Sequence, residues 1–199
     1  GIVSSLGLGV QNFCNALKES EEGISSLTAF DTDGFEHDKA GQISNFDANE
    51  WISHLDPQKL GRSSQFAVAA TRMAMKDANL SESDLLDSLT ASVFGTTDGE
   101  SVPFQKICEA LYKSDGQSFP VSELDKTSAH NIALSVAKEF QLRGEALTIS
   151  TACAAGNYAV GTGYDMVRRG EVDLAICGGS DSLCRKTFAG FYRLGTMAP

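Results

Sequence analysis

The sequence predicts an α/β layer fold, and three observations carry that reading. Segments with helical apolar spacing alternate with short apolar runs along the chain. The last third reads strand, helix, strand, a unit that closes in parallel and predicts strands buried on both faces. No internal repeat, low-complexity tract or long linker interrupts the pattern.

The elements follow in order. Gly1 to Gly9 is turn-like. Phe13, Ala16 and Leu17 fall on one helical face, so residues 10–20 read as a first helix. Between Glu19 and Glu50 the only Lys or Arg is Lys39 among many acidic residues, which reads as a solvated loop. Asp56-Pro57 can open a helix, and Phe66, Ala70, Met73 and Ala74 continue an apolar stripe toward Asn79. Ala91 to Gly95 reads as a short buried strand, and residues 102–112 and 128–140 as two helices. Ala146 to Ser150 is a further strand, followed by the small-residue turn Thr151-Ala152-Cys153-Ala154-Ala155-Gly156. Residues 157–169 have helical spacing, with Tyr158, Gly161, Tyr164 and Val167 recurring and Gly170 as the stop. Asp173 to Cys177 is the closing apolar strand, ending in Gly178-Gly179.

Composition narrows the function classes. The 199 residues carry a net charge of -10, with 42% hydrophobic and 21% charged residues. That suits one globular domain or part of a larger one. The acidic balance argues against a nucleic-acid partner. No apolar run is long enough to span a membrane. The five cysteines are an odd number and read as reduced thiols, which implies a cytoplasmic setting. No C-x-x-C spacing occurs and no histidine stands near a cysteine in sequence, so no metal site is expected. The chain starts at Gly1 without a methionine and stops at Pro199, so a fragment cut at both ends is expected.

Cys153 is the residue with chemistry in its setting. It stands where strand becomes helix, and a helix start offers free backbone N–H groups and a partial positive charge. Both favour the thiolate, the nucleophilic form. The same N–H groups can hold the oxyanion of an acyl intermediate. A lone cysteine is more often an inert packing residue, the reading given to Cys14, Cys108, Cys177 and Cys184. His37 and His54 read as solvent-facing, and His130 as a helix-start residue.

The run Ser150-Thr151-Ala152-Cys153-Ala154-Ala155-Gly156, followed by Asn157-Tyr158-Ala159-Val160-Gly161, resembles the nucleophile motif of the β-ketoacyl-acyl-carrier-protein synthases, elongating condensing enzymes. Gly1 to Gly7 is similar to that family's first turn, Gly23-Ile24 to its next loop, Phe66 to Leu80 to its long helix, and Leu142-Arg143-Gly144 to the approach to the nucleophile strand. Asp173 to Ser180 resembles its Gly-Gly strand.

The resemblance implies the N-terminal half of a thiolase-like fold: residues 1–199 without the opening strand and the C-terminal half, with a mixed, mostly parallel sheet and helices on both faces. It implies Cys153 as the acyl-accepting nucleophile in a decarboxylating condensation for fatty-acid or polyketide elongation. Two assisting histidines would lie in the second half, so residues 1–199 alone would not condense substrates. It implies no bound cofactor, because the substrates ride on acyl-carrier-protein phosphopantetheine. Acyl carrier protein is one partner and a second copy of the complete chain another. Lys59 and Arg62 fall where the family meets its carrier, and Phe191 falls near an acyl-pocket position. The loop after Gly95 would help line that pocket, where Asp98 and Glu100 are polar for an aliphatic wall. A thiolase acting on coenzyme A thioesters and a non-catalytic interaction half-fold are the alternatives.

Overall fold

The computed structural model describes residues 1–198. The chain runs β1 (Val3–Ser4), β2 (Gly7–Leu8), α1 (Val10–Lys18), β3 (Ser25–Ser26), β4 (Lys39–Ala40), α2 (Arg62–Asp77), α3 (Glu82–Asp87), β5 (Thr90–Gly95), α4 (Ser101–Lys113), α5 (Asn131–Glu139), β6 (Ala146–Ile149), α6 (Ala155–Arg168), β7 (Leu174–Gly179) and α7 (Arg185–Arg193). Short 3₁₀ segments stand at Ala48–Glu50, Pro57–Lys59, Val121–Lys126 and Ala152–Ala154. β1 pairs with β2 and β3 with β4 as two small antiparallel ribbons.

The working sheet has three strands in the order β6-β5-β7, all parallel. Its register brings Ile149, Gly95 and Gly179 level, so the three carboxyl ends share one edge. The segment β6–α6–β7 is the strand–helix–strand unit expected from sequence, but β5 lies between its two strands. β5 is the only one of the three buried at every residue. β6 and β7 are half-buried, against the expectation of burial on both faces, because each is an edge of this sheet.

Alternation along β5 sorts the core into two layers. Ala91 and Val93 join Ala159 and Met166 of α6, with Leu147, Ala175 and Cys177 packed beside them. Phe94 faces the other layer, built from Phe66 and Val68 of α2 and Ile132, Val136 and Phe140 in and after α5. The Ser92 hydroxyl donates to the Ala133 carbonyl at 2.9 Å on that same side. A small face lets α6 lie close: Ala155, Ala159, Gly163 and Met166 are its buried residues. The stripe expected from sequence, Tyr158, Tyr164 and Val167, lies on the opposite face and is exposed. The α2 stripe is also displaced: Ala67, Val68, Ala69 and Met75 are buried, whereas Ala70, Met73 and Ala74 are only half-buried.

The acidic segment is not wholly solvated. Phe30 and Phe35 pack edge-on against Phe188 of α7, with ring centroids 5.5 and 5.2 Å away. Apolar burial thus ties part of a strongly acidic loop to a helix that the sequence pattern did not reveal. A second tie is the buried Glu139 carboxylate. It accepts the backbone N–H groups of Ser53 (2.6 Å), His54 (3.1 Å) and Leu55 (3.0 Å). Arg72 completes it at 2.5 Å.

Candidate active site

Cys153 lies in the turn between β6 and α6 and is exposed. The turn is sharp because Ala152 sits at φ 50°, the left-handed region that costs an L-residue about 1–2 kcal/mol. A 3₁₀ turn, Ala152–Ala154, then feeds α6, which starts at Ala155. Ala154 N–H donates to the Thr151 carbonyl at 3.3 Å and closes the elbow. The thiol therefore stands at a helix start, at the carboxyl edge of a parallel sheet. That edge is where open α/β sheets hold ligands. N–H groups in the first turn of a helix lack intrahelical partners and can meet a developing oxyanion.

The loops leaving β5 and β7 are bound together beside this edge. Asp181 accepts the Thr96 hydroxyl at 2.7 Å and the Thr97 and Asp98 N–H groups at 3.0 Å. The Ser63 hydroxyl at the start of α2 donates to the Gly99 carbonyl at 3.0 Å and lies 3.0 Å from the Ser182 hydroxyl. Ser180 donates to the Ser63 carbonyl at 2.7 Å. Glu100, 1% exposed, turns inward and caps α2. Burial pushes its carboxyl above the usual range, although hydrogen bonds from Ser64 and Ser63 pull the other way. Asp98 is held by the Lys186 ammonium at 2.5 Å and by the Thr187 hydroxyl. Burial opposes its ionisation, but hydrogen bonds from Lys186, Ser101 and Thr187 outweigh it and keep the carboxyl below its ordinary value. Both acids of the post-Gly95 loop are thus engaged by protein donors.

A cleft of about 520 Å³ opens over these loops, lined among others by Phe30, Ile43, Arg62, Phe66, Lys106 and Leu183. Arg62 carries packing as well as charge. Its guanidinium lies 4.8 Å from the Phe46 ring centroid and 4.7 Å from that of Phe66. Burial lowers its pKa from the ordinary arginine value. Lys59 closes the preceding 3₁₀ turn and is exposed. Phe191 is on α7 and 47% exposed. The structure brings Arg62 to the cleft wall, whereas Phe191 and Lys59 are not among its lining residues.

No histidine of the chain forms part of the Cys153 elbow. His54 lies against the Glu139 carbonyl, with Nδ1 at 2.9 Å. His37 packs against Tyr192, centroids 6.0 Å apart, and His130 sits at the start of α5. One of the cysteines given a packing role differs from that expectation: Cys108 is exposed on α4. Cys184 is buried at the start of α7, where its sulfur accepts the Thr187 N–H at 3.5 Å. Among the described residues no group of His, Cys, Asp and Glu has the arrangement of a metal site. No helix among them is long and apolar enough to cross a membrane. The inward role of Glu100 was missed in sequence. Its only signal was an acid preceding a helix in a loop next to a buried strand.

Comparison with known proteins agrees with this geometry. The sequence model of the β-ketoacyl synthase N-terminal domain matches residues 1–199. The 3-oxoacyl-[acyl-carrier-protein] synthase 2 of Synechocystis is 26% identical over 96% of this chain and 46% of its own. A solved structure of the ishigamide ketosynthase/chain length factor superposes with a TM-score of 0.92 at 39% identity, over 100% of this chain and 50% of that one. A type II polyketide ketosynthase solved in complex with its acyl-carrier protein and bound to the hexaketide gives a TM-score of 0.81 at 26% identity, over 98% of this chain and 47% of the other. The chain spans about half the length of the relatives it matches.

Proposed function

We propose, for a chain that belongs to the β-ketoacyl synthase family, that Cys153 is the nucleophile of a condensing enzyme of which residues 1–199 form the N-terminal domain. The observation that carries the reading is an exposed thiol on a tight strand-to-helix elbow at the carboxyl edge of the sheet.

The Cys153 sulfur attacks the carbonyl carbon of an acyl thioester carried on phosphopantetheine. A carbon–sulfur bond to Cys153 forms, and the Cys153 backbone N–H supplies one donor to the oxyanion. The bond to the carrier sulfur breaks, and that thiol leaves with the proton that Cys153 gave up. A malonyl thioester then loses carbon dioxide, and the electron pair left behind forms an enolate. The enolate attacks the acyl carbon, a carbon–carbon bond forms, and the Cys153 sulfur departs. The family resemblance places the two histidines that assist decarboxylation in the second half, outside residues 1–199. The domain alone takes the chemistry no further than acylation.

Acyl carrier protein is the partner this chemistry needs, and a relative solved with its carrier protein supports it. Lys59 and Arg62 are the candidate contact at the start of α2, and Phe191 a candidate contact for the acyl chain. The curated relatives act on carrier-bound rather than coenzyme A-bound acyl groups by their names, which favours a synthase over a thiolase. Identity to the ishigamide ketosynthase/chain length factor, at 39%, exceeds the 26% to the Synechocystis synthase. The ishigamide relative's name supports a chain length factor as a second candidate partner, beside a second copy of the complete chain.

The experiment is Cys153→Ala in the complete protein. Condensation should fall by roughly 10³-fold or more, with the fold retained. Unchanged turnover would remove Cys153 from the mechanism.

A further inference from the structure

We infer that Gly95, the last residue of β5, is a positioning residue for Cys153. Its missing side chain seats the first turn of α6 and so fixes where the thiol stands. The inference rests on the reading of Cys153 as the nucleophile.

A Cβ at residue 95 would stand 2.2 Å from the Ala155 carbonyl carbon, 2.3 Å from its oxygen and 2.6 Å from the Gly156 nitrogen. All three atoms are backbone, so no rotamer change relieves the overlap, and the start of α6 has to move. Gly95 itself cannot retreat easily. It pairs with Ile149 on one side and Gly179 on the other, and its carbonyl accepts the Ser180 N–H at 3.0 Å. Its φ lies outside the left-handed region, so close approach, not backbone freedom, is what requires glycine here. Cys153 is two residues before Ala155, through a 3₁₀ turn whose first residue, Ala152, is already at φ 50°. A turn so constrained passes a shift of α6 on to the thiol.

Other glycines nearby do not share this role, and they supply the controls. A Cβ at Gly179 would lie 3.5 Å from the Gly156 Cα, an ordinary contact. A Cβ at Gly163 would overlap the Cys177 Sγ at 2.1 Å, a comparable clash two turns further along α6 and against a side chain.

The test compares Gly95→Ala, Gly179→Ala and Gly163→Ala in the complete protein. Alkylation of Cys153 by iodoacetamide is followed by peptide mass spectrometry, and acyl transfer by steady-state kinetics. In Gly95→Ala the Cys153 alkylation rate should fall about tenfold or more. The kcat for acyl transfer should fall similarly, with KM within about threefold, since a misplacement of about 1 Å is enough for such a loss. Gly179→Ala and Gly163→Ala should keep the Cys153 rate within about twofold, even where Gly163→Ala lowers the melting temperature. An unchanged Cys153 rate in Gly95→Ala, or an equal loss in Gly163→Ala, overturns the proposal. So does unfolding of Gly95→Ala, read as rapid alkylation of the buried Cys184, since Gly95 would then serve only the core. The nucleophile reading fails separately, if Cys153→Ala keeps acyl transfer.

Discussion

The Glu100 carboxylate accepts both the hydroxyl of Ser64, at 2.5 Å, and its backbone N–H, at 2.7 Å. A loop leaving the central strand therefore caps the long helix α2, which has no side-chain cap of its own at Gly61. Gly61 is part of the fit, because a Cβ there would meet the Glu100 carboxylate at 2.0 Å.

This cap sets a pH dependence. Burial raises the folded-state pKa of Glu100 above its unfolded value. The native state then binds that proton more tightly, so the Glu100 contribution to stability is full below its unfolded pKa and is lost as pH rises through the raised folded pKa. Glu100→Gln should flatten that decline in urea titrations across the window and cost less than about 1 kcal/mol at neutral pH. Glu100→Ala leaves the Ser63 and Ser64 donors without their acceptor and should cost about 2–3 kcal/mol.

Glu139 is fully buried as well, and among the described residues Arg72 is the only cation that forms a salt bridge with it. Arg72→Ala should destabilise by about 2–3 kcal/mol, because three backbone donors still serve the carboxylate. Glu139→Ala should cost more, about 3–4 kcal/mol, since those donors and Arg72 all lose it. Chemical denaturation of the two variants checks the order.

Gly163 and Cys177 should be coupled. Gly163→Ala alone should cost about 1–3 kcal/mol through overpacking. With Cys177→Ala in the same chain the sulfur is gone, and part of that cost should vanish. A double-mutant cycle should read about 1 kcal/mol or more of interaction, and additivity would contradict the contact.

Phe188 holds the acidic segment to α7. Phe188→Ala should cost about 3–5 kcal/mol and expose residues around Phe30 and Phe35 to limited proteolysis before the sheet is attacked. Cleavage first within β5–β7 would place the anchor elsewhere.

Much of this architecture was legible in the sequence because apolar period reports burial. Thr90–Gly95 and the segment Ala146–Gly179 contain the sheet, the elbow and its helix, and each was marked by its own pattern. The pattern could not say which face of α6 is buried. Tyr158, Tyr164 and Val167 outscore Ala155, Ala159 and Gly163 in hydrophobicity, yet close packing on β5 selects the small residues. It also could not show α7, whose partners Phe30 and Phe35 are distant in sequence. Cys153 was visible from its neighbours, whereas Gly95 was not. Its role lies in a contact with Ala155 across sixty positions, and only three-dimensional proximity reveals it.

The most direct measurement is the intact mass of the complete protein after incubation with an acyl thioester of acyl carrier protein, followed by peptide mapping. The account predicts one added acyl group per chain, carried on Cys153 and absent from Cys153→Ala. An adduct that persists in that variant, or that maps to Cys108 or another cysteine, would contradict it.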